Sequence, residues 1–187
     1  MLGRWTVDQK DAQYLGFMSL KENAKGGYIG AVLVTDMSGV PQEFRCTHPV
    51  RATAVQRILY GATLVPYIGI ELCAKPLFSS LQKKPTLLLL AQSSLLDLRM
   101  DVSCPVLVVG KAGDAFEVKA ADTSERSAVR VERTRFPALV IQAHPTYPTD
   151  QTVGTRILES AVFDLPEAFE RVTKAIQTLA EQDTRFQ

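Results

Sequence analysis

Thr86-Leu87-Leu88-Leu89-Leu90-Ala91 decides the fold. The run is too short to cross a bilayer. Its hydrophobicity is continuous rather than alternating, which marks a strand covered on both faces. A second such run, Val106-Leu107-Val108-Val109, lies within Pro105 to Gly110. Between them, Ser93 to Met100 reads as a short helix with Ser93 or Ser94 as its cap. Two doubly buried strands joined by a helix make a parallel βαβ pair. Pro137 to Ala143, through Ala138-Leu139-Val140-Ile141-Gln142, reads as another buried strand.

Upstream the pattern is that of a meander. Tyr14 to Leu20 reads as a strand and Lys21 to Gly27 as a turn. Tyr28 to Thr35 is a second strand. Asp36-Met37-Ser38-Gly39 is a tight hairpin in which Gly39 supplies the positive φ. Val40 to Val50 then runs antiparallel to the second strand. Phe44, Cys46 and His48 fall on one face, and Glu43, Arg45 and Thr47 on the other. Pro41 and Pro49 bracket that strand, so its ends cannot be fully paired.

The period changes after Thr53, which stands where an N-cap is expected. Val55, Ile58, Leu59 and Ala62 recur at helical spacing. Gly61 and Pro66 impose either a kink or a division into two helices over about 53–81. Pro66 to Leu81 carries Ile68, Ile70, Leu72, Cys73, Leu77 and Phe78. It is apolar on more than one face, as expected of a central core helix or an interface. Residues 111–135 are more polar and read as an inserted hairpin or a pair of edge strands, and His144 to Asp150 reads as a loop. The chain closes on an amphipathic helix. Asp164, Pro166 and Glu167 stand at capping positions, and Leu165, Ala168, Phe169, Val172, Ile176 and Leu179 form one stripe.

The sum is an α/β fold with a mixed sheet: an N-terminal antiparallel three-strand meander, then parallel strands with packed helices, in one domain of 187 residues. A chain of this size can bury a core without disulfides or metal. Cys46, Cys73 and Cys104 are scattered and odd in number, so they are not a disulfide framework. Together with the lack of an apolar leader in Met1-Leu2-Gly3-Arg4-Trp5, they point to the cytoplasm. Lys and Arg number 21 against 20 Asp and Glu, without the basic excess of a dedicated nucleic-acid binder.

Three antiparallel strands, a helix, a strand, a helix, a strand and a closing helix is an order that resembles the RNase H-like arrangement. The resemblance is one of topology and covers most of the chain. It implies a carboxylate in the middle of the first strand, others on the helix and after the fourth strand, and two divalent cations held between them. Tyr14 to Leu20 has no acidic residue. Asp36 ends the second strand, Glu71 lies on the helix, and Asp97 and Asp101 follow the fourth. Asp36, Glu71 and Asp97 are therefore weak metal candidates. Without the first-strand acid, the resemblance implies lost catalysis.

Other constellations carry less. Cys46 and His48 share a strand face, yet a packed cysteine beside a hydrogen-bonded histidine explains the spacing better than a nucleophile. Cys46, His48, Cys73, Cys104 and His144 form no paired zinc spacing. Gly26-Gly27-Tyr28-Ile29-Gly30 lies between strands, where no helix N-terminus follows to hold a phosphate. Gly110-Lys111-Ala112-Gly113 has no Ser or Thr after its Gly-Lys pair and reads as a loop. Arg126, Arg130, Arg133 and Arg135 are interleaved with Asp122, Glu125 and Glu132, as on a solvated edge strand. They also admit an acidic partner or nucleic acid, which the net charge does not indicate.

Tyr60, Tyr67 and Phe78 are the aromatic anchors available for an interface, with Arg130, Arg133 and Arg135 as the polar candidates. The sequence thus leads to an expectation of a non-catalytic accessory or interaction subunit of a cytoplasmic assembly. A protein partner or homo-oligomer is expected, with no cofactor and no membrane. An RNase H-like metal-dependent nuclease or an inactive relative is the alternative, and a small-ligand sensor the third.

Overall fold

The structure, a computed structural model, describes residues 13–112 and 128–186. The strands are β1 (Tyr14–Glu22), β2 (Tyr28–Asp36), β3 (Pro41–Cys46), β4 (Leu87–Leu90), β5 (Val106–Lys111), β6 (Val129–Val131) and β7 (Leu139–Ala143). They form one sheet in the order β3-β2-β1-β4-β5-β7-β6. β1, β2 and β3 make the antiparallel meander. β4 runs parallel to β1, and β5 parallel to β4. The expectation of a mixed sheet thus holds, with one difference at its far side: β7 runs antiparallel to β5, and β6 antiparallel to β7.

Both faces of the sheet are covered, which is why its central strands read as uninterrupted apolar runs. Met18, Leu20, Val32, Leu88, Leu90, Val106 and Val108 face one helical layer. Leu15, Phe17, Leu33, Leu87, Leu89, Leu107 and Ile141 face the other. The first layer is a nearly continuous helical run: α1 (Ala54–Tyr60), a 3-10 turn, α2 (Leu64–Tyr67), a π-helical stretch (Ile68–Ala74) and α3 (Lys75–Ser80). Its break falls where the sequence places it, at Gly61, whose φ is +51°. Thr53 caps α1 through a full capping box with Gln56. The 3-10 helix Ser93–Met100 completes this layer.

The second layer is α4 (Thr149–Ser160) and α5 (Leu165–Gln182). α5 was legible from its stripe, although its cap differs. Glu167 pairs with Arg171 rather than closing a capping box, and the buried Asp164 Oδ1 has no hydrogen-bond partner among the described residues. α4 was not legible. Its sequence TDQTVGTRILES buries only Asp150, Gly154 and Leu158, too few for a stripe. Gly154 is there because a Cβ would collide with Leu107. The polar insertion expected over 111–135 lies mostly outside the described residues. Within them, β6 pairs with β7 as an edge strand.

The sheet and the first layer approach most closely at Gly30. A Cβ on Gly30 would stand 2.5 Å from Cys73 Cβ. Gly30→Ala is therefore expected to destabilise the protein by about 1–3 kcal/mol in chemical denaturation. Adding Cys73→Ala should not restore stability, because the Cβ that causes the clash remains.

Candidate functional site

The resemblance to the RNase H-like arrangement directs attention to the place where β4 ends against the middle of β1. Met18, the midpoint of β1, pairs with Leu90, the last residue of β4. Ala91 N–H then donates to Met18 C=O at 3.1 Å. Gln92 adds one further rung with its side chain: Oε1 accepts from Leu20 N–H at 3.2 Å, and Nε2 donates to Leu20 C=O at 2.9 Å. Across from this edge, a Cβ on Gly69 would press on Leu95 and Leu20. Cys73 lies against Gly30 beside the Met18 methyl group.

The places around the midpoint of β1 thus hold a methionine, an alanine–glutamine pair and small helix residues. Met18 and Cys73 are buried, and burial pushes the Cys73 thiol up. A thioether, a protonated thiol and an amide already bound to backbone are poor ligands for Mg²⁺, which requires hard oxygen donors. The described residues do not fit a two-metal centre here. No group of three or more His, Cys, Asp or Glu able to hold a metal occurs among the described residues.

Asp36, Glu71 and Asp97 lie in three different places. Asp36 is at the opposite end of the meander, paired in register with Tyr14. Its carboxylate accepts from Ser38 Oγ and from the Ser38 and Val40 amides, and the Ser38 hydroxyl first among these holds it below the usual carboxylate range. Glu71 accepts from Lys75 at 2.6 Å, and Lys75 reaches Asp101 at 3.1 Å. Asp97 faces His144 Nε2 at 3.2 Å. His144 Nδ1 accepts from the Thr146 amide, which leaves Nε2 to donate to that carboxylate.

One polar cluster was missed in the sequence. Asp150, 4% exposed, accepts from Arg99 Nε and Nη2 and from the Val106 amide. Arg99 also lies 4.0 Å over the Tyr147 ring. The pair anchors α4 to the start of β5 and needs no ligand to satisfy it. Its members are scattered from 99 to 150 and share no spacing, so no local signal betrays them.

The remaining candidates are mostly engaged within the chain. His48 stacks on Phe186 at 4.9 Å, while Cys46 packs toward the α5 layer and its thiol is pushed up by burial. Cys104 is pushed up to about 11 by burial. No cysteine here has thiolate character. Tyr60 and Tyr67 pack ring against ring at 4.9 Å, with Tyr67 the more exposed. Phe78 is half-buried beneath Lys84. Arg130 pairs with Glu132. Arg133 donates to the carbonyls of Ala161 and Phe163 at the end of α4 and covers Phe136 at 4.5 Å. Arg135 is exposed. Arg126 lies outside the described residues, so the basic quartet does not stand as one patch. A half-open cavity of about 450 Å³ beside the β1–β2 turn is lined by Lys21, Asn23, Ile29, Thr173, Ile176 and Gln177, among others.

No protein-family model and no curated protein matches the chain. Solved structures do match. A variant of endonuclease V from Ciona intestinalis, in complex with a 23mer DNA containing an inosine followed by a ribo-adenosine, aligns with a TM-score of 0.57 at 8% identity. The match covers 91% of this chain and 88% of that one. Endonuclease V from the same organism with a 24mer DNA aligns at a TM-score of 0.49, also at 8% identity and over the same 91% and 88%. Marinitoga piezophila Argonaute with a 5′ OH guide RNA aligns at 0.37 and 10% identity, over 81% of this chain and 27% of that one. The first of these supports the RNase H-like architecture.

The Gln92 rung can be tested directly. Gln92→Leu leaves the Leu20 N–H and C=O without partners at a half-buried site, at a cost of about 1–3 kcal/mol. Hydrogen exchange at the Leu20 amide should accelerate in the variant while the β1–β2 amides keep their protection.

Proposed function

We propose that the chain is a nucleic-acid-binding protein on an RNase H-like nuclease fold whose two-metal cleavage centre has been lost. The observation that carries this reading is the β1–β4 edge itself, where Met18, Ala91 and Gln92 stand in place of carboxylates. Likeness of fold alone does not transmit activity. It does give a reason to seek the partner among DNA and RNA, since the structure that aligns over nine tenths of the chain is a nuclease on DNA. That finding corrects the expectation of an accessory subunit of a protein assembly. Such an expectation rested on the lack of a catalytic motif, and a nuclease fold stripped of its ligands lacks one equally.

The chemistry left at the edge is recognition rather than cleavage. Phosphodiester hydrolysis on this architecture depends on metal ions to activate water and to stabilise the leaving oxygen. The carboxylates that would hold them are replaced by side chains that close the core. Binding does not need them. It needs cationic side chains against phosphates and apolar surface against bases, and Arg57 and Arg51 stand at the β1–β2 turn, with Glu22 beside Arg57.

The test uses the full chain with end-labelled DNA and RNA strands, with and without a single inosine, in Mg²⁺ or Mn²⁺. Binding that weakens as salt rises is expected, with no cleavage product in either metal. Metal-dependent product would overturn the loss of the centre. Absence of binding at low salt would overturn the nucleic-acid reading.

A further inference from the structure

The half-open cavity of about 450 Å³ beside the β1–β2 turn has the size that encloses a small organic molecule. Strand alternation builds its floor. Leu15 and Phe17 face the α5 layer, so Ser19 and Lys21 on the same strand face it too. Lys21 stands in register with Ile29, and both line the cavity opposite Thr173, Ile176, Gln177 and Ala180 of α5. α5 closes on β1 where Phe169 meets Phe17 edge to face at 5.4 Å. Beyond that contact Thr173, Gln177 and Ala180 are too small or too polar to fill the space that the phenylalanine fills. The cavity therefore opens at the carboxyl end of β1, and open α/β sheets gather their ligands at the carboxyl ends of their parallel strands.

The mouth is held in shape. Asn23 Oδ1 accepts from the Lys25 and Gly27 amides, and Nδ2 donates to Phe186 C=O at 3.4 Å. The remaining polar groups are unspent. Ile29 and Ile176, both buried, give an apolar floor. Above it, half-buried Lys21 has no ion pair or hydrogen bond from its side chain among the described residues, and neither has the Gln177 amide. Exposed Glu22 and Glu181 also line the cavity, likewise without ion pairs among the described residues. Further in along the same face, Ser19 is 1% exposed, and its Oγ has no hydrogen-bond partner among the described residues. Buried hydroxyls are rarely left unpaired.

We infer that this cavity binds a small zwitterion with an apolar side chain, the class of the free aliphatic and aromatic α-amino acids. The lining charges are of both signs, one ammonium and two carboxylates. A phosphate chain or simple anion would meet Glu22 and Glu181, and a simple cation would meet Lys21. A zwitterion satisfies both, with its carboxylate on Lys21, its ammonium toward the two glutamates and its side chain on Ile29 and Ile176. The site lies on the opposite face of the sheet from Met18, and it does not depend on the nucleic-acid reading.

Titration calorimetry of the full chain tests the site, with leucine and phenylalanine as ligands. Two fragments of leucine, 4-methylpentanoate and 3-methylbutylamine, each lack one of its charges. Leucine or phenylalanine should bind at micromolar to millimolar concentration, and each fragment about tenfold or more weaker than leucine. Lys21→Met should weaken amino-acid binding about tenfold or more, and Ala180→Phe, which fills the cavity, should abolish it. Melting by circular dichroism should show both variants folded, and Lys21→Met carries the test alone if Ala180→Phe does not fold. Amide shifts on adding ligand to the wild-type chain should centre on Ile29 and Ile176. Absence of binding by both amino acids at millimolar concentration would overturn the inference. So would a fragment that binds as tightly as leucine, binding that survives Lys21→Met unchanged, or amide shifts that centre elsewhere.

Discussion

The parallel pairing of β1 with β4, each covered by helices on both faces, is the constraint on which this structure depends. It forces every side chain along Leu87–Leu90 into the interior, two toward each layer. The same pairing brings the midpoint of β1 against the end of β4. In the RNase H-like arrangement that the topology resembles, the middle of the first strand carries a carboxylate that helps hold divalent cations. Here the point is filled with Met18, Ala91 and the Gln92 amide, and the ladder simply continues.

Most of the fold was legible because burial on two faces writes itself as continuous hydrophobicity. Leu87–Leu90, Val106–Val109 and Leu139–Ile141 are strands at or near the positions read. The Gly39 hairpin, the Thr53 cap and the α5 stripe were legible for local reasons, since each depends on residues within a turn or two of one another. Strand direction at β7 was not. A buried strand looks the same whichever way it runs, and only its partner in space fixes its sense. α4 hid for a different reason. Its contacts with β5 are made by a glycine and a buried aspartate, neither of which scores as an apolar face.

The candidate site divides in the same way. That β1 lacks a carboxylate is plain from the sequence. That Asp36, Glu71 and Asp97 fail to converge is a fact of three dimensions. Asp36 belongs to a hairpin at the far end of β2, Glu71 to a surface chain with Lys75 and Asp101, and Asp97 to His144 beyond β5. Arg133 likewise looks like a solvated edge residue until the carbonyls of Ala161 and Phe163 are seen to claim it. The environment of the α1 face was not legible either. Val55, Ile58 and Leu59 recur at core spacing, and periodicity cannot say whether the face it defines meets a sheet or solvent.

An apolar face kept in solvent has a cost, because it invites aggregation without adding to stability. A chain that had merely lost a catalytic centre would be under no physical compulsion to retain such a face, since polar substitutions at fully exposed positions of a short helix are close to neutral. At the meeting of β1 and β4 the interior is filled by Met18 and the Gln92 amide, while Val55, Ile58 and Leu59 stay in solvent on α1. Recognition and cleavage make different demands on a protein: cleavage needs carboxylates placed to fractions of an ångström, whereas recognition tolerates change so long as sign and exposure survive.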